Sequence, residues 1–472
     1  MRREGLLLLV LACGCGAAHV LTRPDGNGGW SPERRREELA ERADAAQVSL
    51  AVTPVAAHDG TLTLADVVRL ASANRRVVEA DRDLAIAAAE VDRARGRLYP
   101  TVTGRGRYDW YTDPQTIALD LPPGLIPPGS PTPTAFIREQ DFLTVNGTAS
   151  MAIDVFGEIT KSLTAAQAGY RAEEARRFAT VLGEQVAATR SYFNLLEAER
   201  LAEVARQTLA AQRQQLANAE ARVVAGRLTK NELLVVQVAV RNTEQVLRRV
   251  ELQEARARWT LNRVVGRPID APLRLADVAT APAVPTADAA LRDAFQSNPT
   301  LRLLVEEQQR LEDQAASLAR GRLPRFQGGG TIDYTTQDIV QPERIGGAFV
   351  GFTWDIADAP REAEIAKARI AVDKNRTRIE AALREVEAAV RETQRAVEER
   401  LTAWTTAQTA VVQAEENRRI RAQQFDAGRA TSEDLLDAEA LLAQQRAVLA
   451  TALYQAHTRF AELDQLIGRP LR

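Results

Sequence analysis

The chain has 472 residues, 26% of them charged and so balanced that the net charge is −2. This balance lacks the basic surplus of a nucleic-acid binder, and three dispersed histidines (His19, His58, His457) argue against a histidine-built metal site. No nucleophile elbow, phosphate loop, paired-His zinc helix or dinucleotide fingerprint occurs, so the sequence predicts neither an enzyme nor a cofactor.

At the N-terminus, Arg2 and Arg3 precede an apolar run over residues 5–12 and then Cys13. A basic start and a short apolar stretch read as an export signal, not a membrane span. Val10-Leu11-Ala12-Cys13 resembles a bacterial lipobox, which makes 1–12 the signal peptide and Cys13 the lipidated first residue. Ordinary cleavage within residues 14–18 is the alternative. Both cysteines, Cys13 and Cys15, fall here, so packing and not disulfides must stabilise the exported fold. Residues 13–60 lack periodicity, contain Pro24, Gly26, Gly28, Gly29 and Pro54, and read as a surface leader with room for a short helix around 31–42.

From Leu62 a helical pattern runs to about Arg97, with Thr63 placed to cap it. Its end, Ala94-Arg95-Gly96-Arg97-Leu98, is echoed by Ala319-Arg320-Gly321-Arg322-Leu323. After each echo the period changes to two. Val102, Gly104, Gly106, Tyr108 and Trp110 alternate with Thr101, Thr103, Arg105, Arg107 and Asp109. Leu143, Val145, Ala149, Met151, Ile153 and Val155 alternate with Thr144, Asn146, Thr148, Ser150, Ala152 and Asp154. Later, Phe326, Gly328, Gly330, Ile332 and Tyr334 form one face, and Ala348, Val350, Phe352, Trp354 and Ile356 another. Four strands follow, at about 98–111, 142–155, 324–337 and 345–356, each long enough to cross a bilayer at the usual tilt of barrel strands. A half-buried sheet in a soluble domain would alternate too, but nothing apolar elsewhere is free to cover the outer face. Arg105, Arg107, Asp109 and Asp154 would face the lumen, with mixed sign. The first hairpin loop, about 112–141, is rich in proline, and the second, near 338–344, is short.

Helical sequence then runs from about 158 to 225, turns at Gly226-Arg227-Leu228-Thr229, and returns to Val265-Gly266-Arg267-Pro268. The same design recurs without a gap 202 positions later, from Gly428-Arg429-Ala430-Thr431 to Ile467-Gly468-Arg469-Pro470. Leu233, Val240 and Leu247 match Leu435, Leu442 and Leu449, a seven-residue apolar repeat that keeps one seam against a neighbouring helix. A descending helix of about 68 residues spans roughly 100 Å, and its return covers about 54 Å. The helical segment at about 286–321 completes the first return. The helix at 62–97 completes the second, whose own chain ends halfway. The chain therefore reads as two repeats, 61–285 and 286–472.

Two repeats of helix, strand, strand, long helix, glycine turn and half-length helix resemble the TolC-like outer-membrane efflux channels over about 61–472. The resemblance implies a mainly helical fold with a small β part. Three chains would build a twelve-stranded β-barrel continued by a helical barrel through the periplasm. It implies an exit channel in the bacterial outer membrane, carrying small molecules such as drugs, toxic compounds or metal ions, and the lipobox would add a lipid anchor at Cys13. A periplasmic adaptor would link it to an inner-membrane RND or ABC transporter. Alternatives are the outer-membrane component of type I protein secretion and, in another class, a soluble coiled-coil scaffold. By resemblance, Asp434 and Asp437 would ring the aperture and raise some of their own pKa values by mutual repulsion. The first copy has Glu232 and Gln237 instead. Read locally, Thr431 or Ser432 caps a helix, and Glu433 and Asp434 complement its positive end. Phe425 stands where some relatives carry a tyrosine latch, and it cannot donate that hydrogen bond. Gly226, Arg227, Gly428 and Arg429 would meet the adaptor at the tips, although a left-handed helix cap alone would also require those glycines.

Overall fold

A computed structural model describes residues 61–119, 127, 134–337, 340 and 342–471, all within the unit Val55–Arg472. The expected signal peptide, Cys13 and almost all of the leader lie outside the described residues. The first repeat contains α1 (Leu64–Ala71), α2 (Arg75–Gly96), β1 (Thr101–Trp110), β2 (Gln115–Ala118), β3 (Thr134–Arg138), β4 (Asp141–Ile153), α3 (Glu158–Val224) and α4 (Lys230–Val264). The second contains α5 (Ala287–Ser297), α6 (Pro299–Arg320), β5 (Arg325–Thr335), β6 (Arg344–Thr353), α7 (Ala359–Asp426) and α8 (Ser432–Leu466).

Three expectations about the elements are corrected. The helix expected over 62–97 is two helices. Thr63 caps α1, trading hydrogen bonds with Asp66, but the Asn74 backbone is extended and its amide donates to Glu184 on α3 at 2.8 Å. Arg76 joins the same carboxylate at 3.0 Å, so a tertiary contact pins the break. The helix expected over 286–321 is likewise divided at Asn298-Pro299, because a proline ring clashes with the preceding turn but suits a first helical position. Asn298 accepts from the N–H groups of Thr300 and Leu301 and donates to the Leu466 carbonyl at 2.8 Å. The loop expected over 112–141 holds the short ribbon β2–β3, at whose root Tyr111 stacks on Phe142 and Arg138 covers Tyr111.

The main sheet is antiparallel in the order β1-β4-β5-β6, so the two repeats join through β4 and β5. Its register unites the two apolar faces that the sequence left separate. Rows such as Val102–Ala149–Gly330–Ala348 and Ile153–Phe326–Phe352 lie on one side. Thr103–Thr148–Thr331 and Arg105–Asn146–Asp333 lie on the other, where the Asn146 amide donates to Asp333. Val102 is 77% and Val350 79% exposed, so a single chain leaves its apolar face uncovered. Asp154 falls beyond β4 and is not a wall group of the strand as expected. Gly157 at the start of α3 has no side chain to cap it, and Asp154 does so instead, accepting from Ile159 N, Thr160 N and the Thr160 hydroxyl. Arginines tie the remaining strand-to-helix junctions. Arg320 donates to the Gly157 carbonyl, and Asp355 receives both Arg325 and Arg361.

Below the sheet, α3 is flanked by α2, α4, α6 and α8, and α7 by α6 and α8. Ala165, Ala168, Ala172 and Ala175 make a buried seam of small side chains on α3 at three- and four-residue spacing, which lets neighbouring helices approach closely. Two equivalent cores form at mid-height. One gathers Leu62, Val67, Tyr192, Phe193, Leu261 and Tyr454. The other gathers Ala290, Leu301, Val390, Leu463 and Ile467. Leu62 also pairs with Leu275 of the linker that follows α4, tying the start of the described chain to the end of the first repeat. Among the described residues, no helix is long and apolar enough to cross a membrane.

Candidate functional site

Each repeat turns around at a tip built from the same local chemistry. The glycines Gly226 and Gly428 adopt φ of 70° and 71°, a left-handed conformation that other residues reach only at a cost. They allow Arg227 N and Arg429 N to reach back to the carbonyls of Arg222 and Gln424, each at 2.8 Å, which closes the last turns of α3 and α7. After each turn a capping box starts the return helix. Thr229 and Glu232 exchange hydrogen bonds at α4, as do Thr431 and Asp434 at α8. Thr431 is therefore the cap. Ser432 is the first helical residue, and among the described residues its buried hydroxyl has no hydrogen-bond partner.

The expected aperture residues are placed differently from one another. Asp434 accepts from Thr431 N at 2.9 Å and from the Thr431 hydroxyl at 2.8 Å. Those bonds, backbone first, with Arg421 assisting, hold its carboxyl below the usual range. Within one chain the capping reading thus describes Asp434, and its shift is downward. Asp437, one turn further on, is exposed. An added Cβ at Gly226 or Gly428 would meet nothing within 4 Å, so both turns present open backbone, with Arg227 and Arg429 exposed beside them.

Phe425 is buried, at 6% exposure, under a residue the sequence did not single out. Arg222, in the last turn of α3, places its guanidinium 4.6 Å from the Phe425 ring centroid. The same group donates to the Phe425 carbonyl at 3.2 Å and to Asp426 at 2.7 Å. One side chain from the first tip therefore clamps the end of α7 in the second. The signal for it is a break in the repeat: 202 positions on, Arg222 becomes Gln424, and Phe425 answers to Val223. Above the clamp, Ala219, Val236 and Leu436 form a small apolar cluster joining α3, α4 and α8.

The arrangement is a pair of linked helical hairpins below a two-faced sheet. A family model described as "Outer membrane efflux protein" matches residues 67–267 and 290–469. Solved structures agree at low sequence identity. The CmeC outer membrane channel of Campylobacter jejuni superimposes with a TM-score of 0.73 at 15% identity, covering 86% of this chain and 85% of that one. The outer membrane protein VceC of Vibrio cholerae gives 0.72 at 14%, covering 87% and 97%. The open state of the MtrE outer membrane channel of Neisseria gonorrhoeae gives 0.71 at 18%, covering 87% and 89%. No curated protein sequence matches. With both repeats matched over most of their length, the chain belongs to the outer membrane efflux protein family, and it is a non-enzymatic channel of the outer membrane with a periplasmic helical tube.

Proposed function

We propose that three copies of this chain form the passive exit duct of a tripartite pump, conducting small molecules supplied by an inner-membrane transporter through a periplasmic adaptor. The observation that carries this reading is the main sheet. It has an apolar face open to solvent, a polar opposite face, and edge strands β1 and β6 with no further strand beside them among the described residues. Four strands cannot enclose a pore, whereas strands added from other copies remove the edges and leave the apolar rows facing lipid. In this reading Asp437, with Asp434 beside it, charges the aperture at the tips. Arg222 does the work that a tyrosine latch would do, holding the two hairpins of each protomer together. Gly226, Arg227, Gly428 and Arg429 form the surface the adaptor meets, and Cys13 carries the lipid.

The test is planar-bilayer conductance of the purified protein, with its mass determined in detergent. A trimer giving a small, cation-preferring conductance that multivalent cations block, and that Asp434→Ala/Asp437→Ala unblocks, supports the duct and its aperture. A large conductance indifferent to that variant removes the aperture assignment. Well-folded protein with no conductance returns the coiled-coil scaffold.

A further inference from the structure

Above the tips, the buried positions of α3 and α8 are not all apolar. On α3, Leu209 and Ala219 are buried, but between them Gln212 and Gln215 are each only 5% exposed. On α8, Leu435, Leu436 and Leu442 are buried, and between them Glu439 is 6% exposed. Gln215 lies nine residues before the end of α3 and Glu439 seven residues after the start of α8, so they stand at similar heights, about 10–14 Å up their helices. The Arg446 to Gln207 hydrogen bond, 3.2 Å, keeps that register two turns higher. Among the described residues, both side-chain polar atoms of Gln215, the Gln212 Oε1 and the Glu439 Oε2 have no hydrogen-bond partner. Arg418 on α7 approaches Glu439, but only to 3.7 Å.

Buried amide atoms without hydrogen bonds, and a buried carboxylate held only by a long ion pair, favour any arrangement that lets water reach them. An apolar seam favours the reverse. We propose that Gln212, Gln215 and Glu439 form a polar layer at which the two hairpins part, so that opening propagates up to this height and the Arg222 clamp below offsets the layer's push. The clamp and the layer then oppose each other across one helical segment, with the apolar cluster of Ala219, Val236 and Leu436 between them. Burial pushes the Glu439 carboxyl above its ordinary pKa, with Arg418 opposing, in keeping with a group poorly served by its surroundings. The inference rests on the channel reading above, and it adds residues that position the gate without touching what passes.

The experiment makes Gln212→Leu/Gln215→Leu in the wild-type protein and in an Arg222→Ala background. Bilayer conductance is read beside hydrogen–deuterium exchange of the peptides covering 205–220 and 432–445. Filling the seam with leucine should close it, cutting open probability in the Arg222→Ala background by about fivefold or more and slowing exchange at both peptides. Unchanged or higher conductance with unchanged or faster exchange would overturn the layer, since it would mean that these amides are satisfied in the assembled protein. A Gln215→Asn variant, which keeps the amide, should behave as the parent; closing like the leucine pair would likewise overturn the proposal. Absence of current from wild type and variants alike would overturn the channel reading, and exchange at 205–220 would still report whether the layer opens.

Discussion

Arg222 of the first hairpin and Phe425 of the second are joined twice, ring to guanidinium at 4.6 Å and carbonyl to guanidinium at 3.2 Å. A cation–π contact contributes about 0.5–2 kcal/mol and a charged hydrogen bond about 1.5–3. The Asp426 partner is mostly solvated and adds little. Removing the clamp should therefore shift the closed-to-open ratio by roughly tenfold or more. Arg222→Ala is expected to raise mean single-channel conductance several-fold. Arg222→Lys should fall between, because an ammonium cannot cover the ring and fork to two oxygens at once. Phe425→Tyr should change nothing. Conductance of Arg222→Ala equal to wild type would show that closure lies elsewhere.

The two aperture carboxylates should not contribute equally. One oxygen of Asp434 is committed to Thr431, and its other faces Arg421 at 3.9 Å, whereas Asp437 is exposed. Asp437→Asn is expected to weaken block by hexaamminecobalt more than Asp434→Asn does. Thr431→Ala should weaken the start of α8 by about 1 kcal/mol, read as faster amide exchange over residues 432–436. The folded pKa of Asp434 is depressed, so its capping contribution is complete above the ordinary carboxylate range and is lost only as pH falls below it. Exchange over 432–436 should thus be insensitive to that cap between about pH 5 and 8.

Asp464 near the end of α8 stands 202 positions after Asn262, and the exchange of amide for carboxylate matters. Asn262 is fully buried and donates to the carbonyls of Ile269 and Ala271, each at 2.9 Å. Asp464 is buried, and its Oδ1 has a long ion pair to Arg469 at 3.7 Å but, among the described residues, no hydrogen bond; burial lifts its pKa to about 6 although Arg469 opposes. A raised folded pKa means that the native state holds its proton more tightly. Stability is then full below the unfolded pKa of 3.8 and falls as pH rises toward 6. Asp464→Asn should stabilise the protein at pH 7.5, on the order of 1 kcal/mol, and show no gain near pH 4. Thermal unfolding at the two pH values checks it.

Four of the five described glycines with positive φ follow the end of a helix and share one backbone conformation, but they should tolerate alanine differently. Gly226, Gly428 and Gly468 have φ near 70° and Gly266 has φ of 76°. At Gly226 and Gly428 a Cβ meets open space, so alanine should incur only the left-handed strain, about 1–2 kcal/mol. At Gly468 a Cβ would run into the Ser297 carbonyl oxygen, where α5 gives way to α6. Gly468→Ala is expected to lower the yield of folded protein sharply, while Gly226→Ala folds with normal yield and a modest loss of thermal stability.

By itself the sequence determined the elements whose cause is local. Long apolar seams, four left-handed glycines and Thr-x-x-Glu/Asp boxes define α3, α4, α7 and α8 to within a residue or two, because turns and caps are set by neighbours in the chain. Period two likewise located β1, β4, β5 and β6. Only the tertiary structure decided what depends on a distant partner. Asn74 breaks a good helical pattern because Glu184 lies opposite it, and Asp154 leaves the wall of the sheet to cap a helix that starts at glycine. Register made one apolar face out of two. Above all, Arg222 and Phe425 are 203 residues apart in sequence. Their meeting follows from two hairpins turning at the same height, and no local propensity of either residue encodes it.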